Sequence, residues 1–392
     1  MNLSGFAKIY IIIFILCITV SSLFNKKIFL TKKQIIVFEM FFILSLALLA
    51  YNMNPPTTWD ITYHFMYINQ IRTSEISFIE FLFQNSSYVG GDEYSNLLFF
   101  NILRYCVARI TENNYLLPSV CVIIDYSILG YIAIDWLSYM NGKYRFNILT
   151  LLLNFTLMPY IHAVSGMRNA LSISIAGLAV YLYLYKNKHI AVLIILIFIA
   201  VTIHPAAIIV VPFVLLAKLK IGSLEFIIVF IISALIKPLA EILSILPIRY
   251  IAAIGQKYLK YTSEAQYRAS KTPLYGVLMI IAIFLLIYFI LYRRFNMDDN
   301  HSNKKIIYNF LAIYMIYILG NIGNYDMVLR PAYLLGVLAP VLGSFLSDKN
   351  IWSNQEMSVR AENIVSFGAT VASLIICLIV NYSYFISLQN VL

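Results

Sequence analysis

Two arginines stand where they could hold an anion. Arg168 opens an apolar helical pattern, and Arg330 precedes Pro331, which we interpret as a proline that starts another helix. The backbone N–H groups and the dipole at a helix start favour negative charge, and a guanidinium can grip two phosphate oxygens at once. The pattern therefore predicts an anion site. Alternatively, Arg168 anchors its span at the lipid headgroups, and Arg330 pairs with Asp326.

A second group of residues could move protons. Asp60, Tyr63, His64 and Tyr67 have the i, i+3, i+4, i+7 spacing of one helical stripe, just outside an apolar run. Asp60 could act as a general base towards a hydroxyl, or it could simply cap the helix that it begins. His204, at the break of a later apolar run, is the second candidate base. The five histidines lie far apart in sequence, so we expect no metal site.

A third candidate region is the polar stretch 248–273, which carries basic residues between tyrosines. Arg249, Lys257 and Arg268 are the cations that we select there as ligand-binding candidates. Aromatic rings next to cations suit a ligand with a sugar face and an anionic group. They also suit a membrane interface, where tyrosine is enriched in any case.

The elements that must position these residues are membrane helices. Of the 392 residues, 61% are hydrophobic and only 12% are charged, whereas a soluble domain carries about a quarter charged residues. Apolar runs near the length of a membrane span recur throughout, which predicts an all-α polytopic protein with a single membrane domain, residues 1–392, of about 12 spans. We place the spans at roughly 7–24, 33–51, 116–137, 146–164, 169–186, 189–203, 205–217, 222–247, 274–292, 306–320, 331–347 and 363–388.

The net charge of +10 comes from basic residues in short clusters between spans. Such clusters indicate which loops face the cytoplasm, and they do not favour nucleic-acid binding. The lysines at residues 26–33 mark the first loop as cytoplasmic, and later loops alternate consistently with it. Residues 52–94 and 248–273 then become long outer loops. We expect residues 95–110 to form an amphipathic or re-entrant helix on the outer face, since a crossing there would invert every later loop. The basic residues left outside against the rule are Arg72, Arg168, Arg249, Lys257, Lys260, Arg268, Lys271 and Arg330.

This topology predicts that residues 52–94 and 248–273 are accessible from outside the cell membrane and residues 293–305 are not. Single cysteines placed in each segment are labelled in intact cells with a membrane-impermeant maleimide. Permeabilised cells provide the control in which every position reacts. Labelling at 293–305 without labelling at 248–273 would reverse the orientation and move the proposed site to the other face.

The stretch from Arg168 to His204 resembles the EpsG family of bacterial polysaccharide-assembly proteins. Members typically begin one span with G-[IMV]-R-[QN], which Gly166 to Asn169 match, and break the following apolar run at a histidine, as at His204. The segment WDITYHFMY resembles an Asp- and Tyr-bearing stretch of the family's first outer loop. Arg330 resembles a late arginine. The plan is similar more broadly to Wzy-type O-antigen and capsule polymerases.

The resemblance implies an inner-membrane glycosyltransferase with a GT-C-like fold, whose site lies in a cavity at the periplasmic face. It would join oligosaccharide repeat units carried on undecaprenyl diphosphate, so its partners would be that lipid, the surrounding bilayer, and a flippase and a chain-length regulator of the same pathway. No cofactor is expected, because the glycosyl diphosphate bond already carries the energy.

The same resemblance implies roles for the candidate residues. Arg168, Arg330 and the cations of 248–273 would neutralise the departing diphosphate. Asp60 or His204 would accept the proton of the acceptor hydroxyl, while Tyr63, His64 and Tyr67 would contact the substrate. A flippase, or a ligase or other GT-C-type transferase that uses the same lipid, would need similar cations. A transporter would more often show two related halves, and no internal repeat is visible here.

Overall fold

A computed structural model of the chain consists of helices. The structure describes residues 32–53, 60–83, 97–141, 158, 160–219, 223–246 and 302–341 except 323, with a few single positions between 256 and 285. Within these ranges every regular element is helical, and no strand occurs. The predicted all-α class is therefore confirmed for this part of the chain.

The helices, numbered in chain order, are α1 Lys32–Tyr51, α2 Asp60–Thr73, α3 Phe78–Phe83, α4 Leu98–Ile110, α5 Leu116–Asn141, α6 Tyr160–Val164, α7 Met167–Val180, α8 Ile190–Ile203, α9 Val210–Ala217, α10 Ser223–Ala234, α11 Ile236–Ser244, α12 Ser302–Gly320 and α13 Tyr325–Val337. A π-helical turn, Tyr181–Tyr185, extends α7, and a 3₁₀ turn, Pro205–Ile209, leads into α9.

Three of the described helices are long and apolar enough to cross a membrane. They are α1, the Leu116–Trp136 part of α5, and Met167–Tyr185, which joins α7 to its π-helical turn. The pair α10 and α11 is a fourth candidate. The predicted count of about 12 spans is not confirmed: α8 has 14 residues, or about 21 Å, against about 30 Å of hydrocarbon. The predicted runs 7–24, 274–292 and 363–388, and most of 146–164, lie outside the described residues.

The candidate spans expose apolar faces that a soluble protein would bury. Phe41 and Leu48 on α1 are 71% and 64% exposed, and Leu224 on α10 is 65% exposed. Surfaces of this kind are stable against lipid tails rather than water. The helices therefore belong to a membrane protein.

Prolines explain where two predicted spans break. The predicted span 222–247 is bent by 45° at Leu235, between α10 and α11. Pro238 has no N–H to donate to the carbonyl of Ala234, and its ring would clash with that group in a straight helix. Similarly, α8 ends at Ile203 because the residue before Pro205 is disfavoured in helical conformation, and His204 is extended.

The helix α7 is the centre of the described bundle. It packs against α5, α6, α8 and α13. Gly177 permits a close contact with α13, because a Cβ atom at this position would stand 2.5 Å from Val337 Cγ1. The sequence GLAV thus brings the helix that carries Arg168 directly against the helix that carries Arg330.

This contact predicts that Gly177→Ala destabilises the protein. The added methyl would overlap Val337, and overpacking of this kind costs about 1–3 kcal/mol, which outweighs a helix-propensity gain of up to about 1 kcal/mol. The measurement is the thermal unfolding midpoint in detergent. Gly177→Ala combined with Val337→Ala should recover stability, because the second change removes the overlapping atoms. A single variant as stable as the wild type would contradict the contact.

A salt bridge lies at the C-terminal end of the π-helical turn that extends α7. Lys186 Nζ lies 2.7 Å from Asp135 Oδ2 of α5, and Tyr181 donates its hydroxyl to the same oxygen. Both ions are partly exposed, so the pair contributes at most about 1 kcal/mol. Arg168 and Lys186 are separated by about 27 Å of helix, close to the thickness of a hydrocarbon core.

The helices α2, α3 and α4 form a layer beside the span candidates. The 13 residues of α4 extend about 20 Å, less than the thickness of a hydrocarbon core, which is about 30 Å, and the outer-face position of 95–110 stays a prediction. Two arginines fasten this layer: Arg72 donates to Thr111 O and Asn114 Oδ1, at 2.8 and 2.9 Å, and Arg109 donates to Ser74 O at 2.9 Å. Arg72 is one of the basic residues that the predicted topology leaves outside, and its two Nη groups bind the protein.

Candidate functional site

Arg168 is the second residue of α7, half-buried at the start of the central helix. The short helix α6 leads into it through Ser165 and Gly166, and a Cβ atom at Gly166 would stand 3.3 Å from His162 Nδ1. Gly166 is the N-cap and offers no side-chain acceptor to the first turn. The backbone dipole of α7 and the guanidinium therefore present positive charge at the same place, as the sequence predicted.

The stripe on α2 forms a helix as predicted, but its members face different surroundings. Asp60 is the first residue of α2 and is exposed. His64 and Tyr67 are 3% and 6% exposed and face the protein, whereas Tyr63 is 56% exposed. The structure thus groups His64 with Tyr67, places Asp60 one helical turn before them, and turns Tyr63 away.

The partner of His64 is Arg104 on α4, a residue that we did not select from the sequence. Arg104 Nη2 hydrogen-bonds His64 Nδ1, and Nη1 donates to Asn101 Oδ1 at 3.1 Å. The guanidinium also lies 5.1 Å from the ring centre of Tyr67 and 4.8 Å from that of Phe100, within cation–π range. The polar pair at positions 101 and 104, three apart on an apolar helix, is the signal that could have indicated it.

The charge of Arg168 reaches this cluster. Burial first, and then the positive charges of Arg104 and Arg168, hold the pKa of His64 well below its usual range. His64 is therefore neutral near pH 7. The charges of Arg168 on α7 and Arg104 on α4 thus both act on one imidazole, although these residues are 64 positions apart in the chain.

Arg330 lies within α13 and not at a helix start. The helix α13 begins at Tyr325, with Asn324 as its N-cap, so Arg330 is the sixth helical residue. Pro331 lies inside α13 and does not start it, which corrects our interpretation. The reason is the Asn324 side chain, which accepts the Met327 N–H at 3.3 Å and starts the helix earlier.

The relation of Arg330 to Arg168 follows from a contact between α6 and α13. The ring centres of His162, six residues before Arg168, and of Tyr333, three residues after Arg330, are 4.7 Å apart. This contact places the segment that leads into Arg168 beside the part of α13 that follows Arg330. Whether the two arginines face one cavity stays a prediction, and the side chain of Asp326 lies outside what the structure describes.

His204 joins α8 to the 3₁₀ turn. Its backbone is extended, and its Nδ1 accepts the Ala206 N–H at 3.2 Å. A neutral ring that accepts at Nδ1 carries its proton on Nε2, so this hydrogen bond favours a donor role over a base role. Asp60 thereby becomes the preferred base, and both assignments stay predictions. Arg249, Lys257 and Arg268 lie outside the described residues.

Comparison with known proteins gives one match. A family model described as the EpsG family matches residues 35–387, nearly the whole chain. Neither a curated protein nor a solved structure matches the chain.

Proposed function

The chain belongs to the EpsG family, and from this premise we propose that it polymerises polysaccharide repeat units. The family is associated with polysaccharide biosynthesis and glycosyltransferase-like polymerase activity. The substrate that we propose is an oligosaccharide repeat unit on undecaprenyl diphosphate, used at the periplasmic face of the bacterial inner membrane in a Wzy-type reaction. A flippase and a chain-length regulator would be its partners in the same pathway.

In the proposed reaction, a hydroxyl at the non-reducing end of a lipid-linked unit attacks the anomeric carbon of the growing chain. The new C–O glycosidic bond forms as the bond from the anomeric carbon to the diphosphate oxygen breaks, and its electron pair leaves with the lipid diphosphate. The hydroxyl proton passes to the base. The enzyme must therefore stabilise negative charge on a departing diphosphate close to the bilayer.

The observations that support this proposal most are the position of Arg168 at the start of the central helix and the hydrogen bond of Arg104 with His64 on α2. Arg168 would hold a phosphate oxygen with its guanidinium and with the dipole of α7 behind it. Arg330 on α13 would supply a second cation. Fixed donors of this kind act strongly because they need no reorganisation as charge develops.

The proposed base is Asp60. It begins α2 on the exposed side of the layer and lies one turn before His64 on the same stripe. An exposed carboxylate can meet an incoming sugar hydroxyl, and His64 and Tyr67 on the same helix contact Arg104. His204 would assist as a hydrogen-bond donor from Nε2. The apolar surfaces between spans would hold the lipid chain of the donor in a GT-C-like outer cavity.

A gene deletion separates the proposed activity from its alternatives. Loss of a polymerase leaves single repeat units on the lipid A core, which a gel resolves as one band above the unmodified core. Loss of a ligase leaves no repeat units on the core, and loss of a flippase leaves neither polymer nor single units. The single-unit band, restored to a ladder by the plasmid-borne gene, is the expected result, and an unmodified core would contradict the proposal.

A further inference from the structure

Arg104 is the most deeply held cation that the structure describes near the site. Its side chain is fully buried, and its guanidinium contacts described residues on two helices: His64 and Asn101 through hydrogen bonds, and Tyr67 and Phe100 through their rings. Burying a charge is expensive, so a buried arginine is retained either to hold the fold or to act on a neighbour. The neighbour here is His64, a candidate substrate contact.

The hydrogen bond between these residues has only one possible direction. A guanidinium has five donors and no acceptor, so His64 Nδ1 must accept from Arg104 Nη2. A neutral imidazole with an acceptor at Nδ1 carries its proton at Nε2. The two nitrogens lie on opposite edges of the ring, so the Nε2–H is directed away from Arg104, and no described residue hydrogen-bonds it.

We propose that Arg104 is a positioning residue that holds His64 in the Nε2–H form, so that His64 donates a hydrogen bond to the lipid diphosphate beside Arg168. The inference rests on the proposed function, because it takes the diphosphate as the ligand. Arg104 itself does not touch the substrate, since its side chain has no exposed surface. Arg168 supplies charge, and His64 supplies a directed neutral donor.

The charges around His64 support the assignment of the positive charge to Arg168 and of the neutral hydrogen-bond donor to His64. The groups that act on it are Arg104 from α4 and Arg168 from α7, both positive, and Asp60 lies one turn earlier on α2. Burial and two cations keep the pKa of the imidazole low, so the neutral form is favoured near pH 7. Without a fixed hydrogen bond, a neutral imidazole would exchange between two tautomers, and the Nδ1–H tautomer would turn a lone pair towards the phosphate.

The first test is spectroscopic and needs no activity. Protein labelled with ¹⁵N-histidine is examined by NMR, with His64→Gln identifying the His64 signals. We expect the Nε2–H tautomer in the wild type and in Arg104→Gln, whose amide still donates to Nδ1. We expect mixed tautomers in Arg104→Leu, which donates nothing. An Nδ1–H tautomer in the wild type would overturn the inference.

The second test measures binding of undecaprenyl diphosphate to the purified protein in detergent. Losing one donor to a charged group should weaken binding about tenfold or more, so His64→Asn should lose it, while His64→Gln, whose amide nitrogen reaches the Nε2 position, should largely retain it. Arg104→Leu should weaken binding in the wild type but hardly further in His64→Gln, because Arg104 acts through His64. Equal losses in both backgrounds would mean that Arg104 only holds the fold.

Failure of the inference about His64 can be distinguished from failure of the proposed function. If the wild type and Arg168→Ala bind undecaprenyl diphosphate equally weakly, the proposed substrate is wrong whatever the tautomer of His64. If Arg104→Leu does not fold, the wild-type spectrum and the contrast between His64→Gln and His64→Asn still decide the inference. Equal binding by those two His64 variants would contradict it.

Discussion

Arg168→Ala is expected to reduce polymerisation by about 10²–10³-fold while the protein remains in the membrane. A departing diphosphate gains negative charge in the transition state, in a site partly shielded from water. Arg168 is fixed at the start of α7, where the helix dipole adds to its charge. The measurement is the repeat-length ladder on a gel, beside an immunoblot for the protein.

Arg168→Lys distinguishes this role from that of a membrane anchor. Lysine keeps the charge but cannot grip two oxygens, so the ladder should shorten without disappearing. For an anchor the expectation is the opposite, because lysine reaches the headgroups as well as arginine does. In that case Arg168→Lys would be silent and Arg168→Ala would mainly lower the protein level. A full ladder from Arg168→Ala at normal expression would contradict the proposed role of Arg168 in stabilising the departing diphosphate.

Asp60→Asn is expected to lower the rate by about 10²–10⁴-fold, the range for loss of a general base. The amide cannot accept the proton of the attacking hydroxyl, although it has nearly the same shape as the carboxylate. The measurement is again the ladder, now followed over time after the gene is induced, so that a slow enzyme is separated from an inactive one.

The alternative role of Asp60 as a helix cap predicts a different pattern. Asparagine caps a helix about as well as aspartate, whereas alanine costs about 1 kcal/mol. Under that reading Asp60→Asn would give a normal ladder, and Asp60→Ala would lower the thermal unfolding midpoint. The exposed Met66, on the same helix but outside the candidate residues, provides the matched control: Met66→Leu should leave the ladder unchanged.

Local physics explains which predictions succeeded. The break at His204 needs only the restriction that a proline places on the residue before it, and Arg168 starts a helix because an apolar pattern begins there. The same rule applied to Pro238 would have indicated the bend near Leu235, which we missed by reading 222–247 as one apolar run. Arg330 was placed at a helix start because Pro331 looked like a first residue, whereas the Asn324 cap begins the helix earlier.

The sequence by itself determined the class of the protein and the positions of its candidate charges along the chain. Composition and run length are sufficient for that, because the bilayer accepts only long apolar helices. Only the tertiary structure decided which charges meet. His64 and Arg104 are 40 residues apart, and their pairing depends on how α2 packs against α4. No pattern within either helix sequence predicts how α2 packs against α4, because that packing depends on the burial of both helices together.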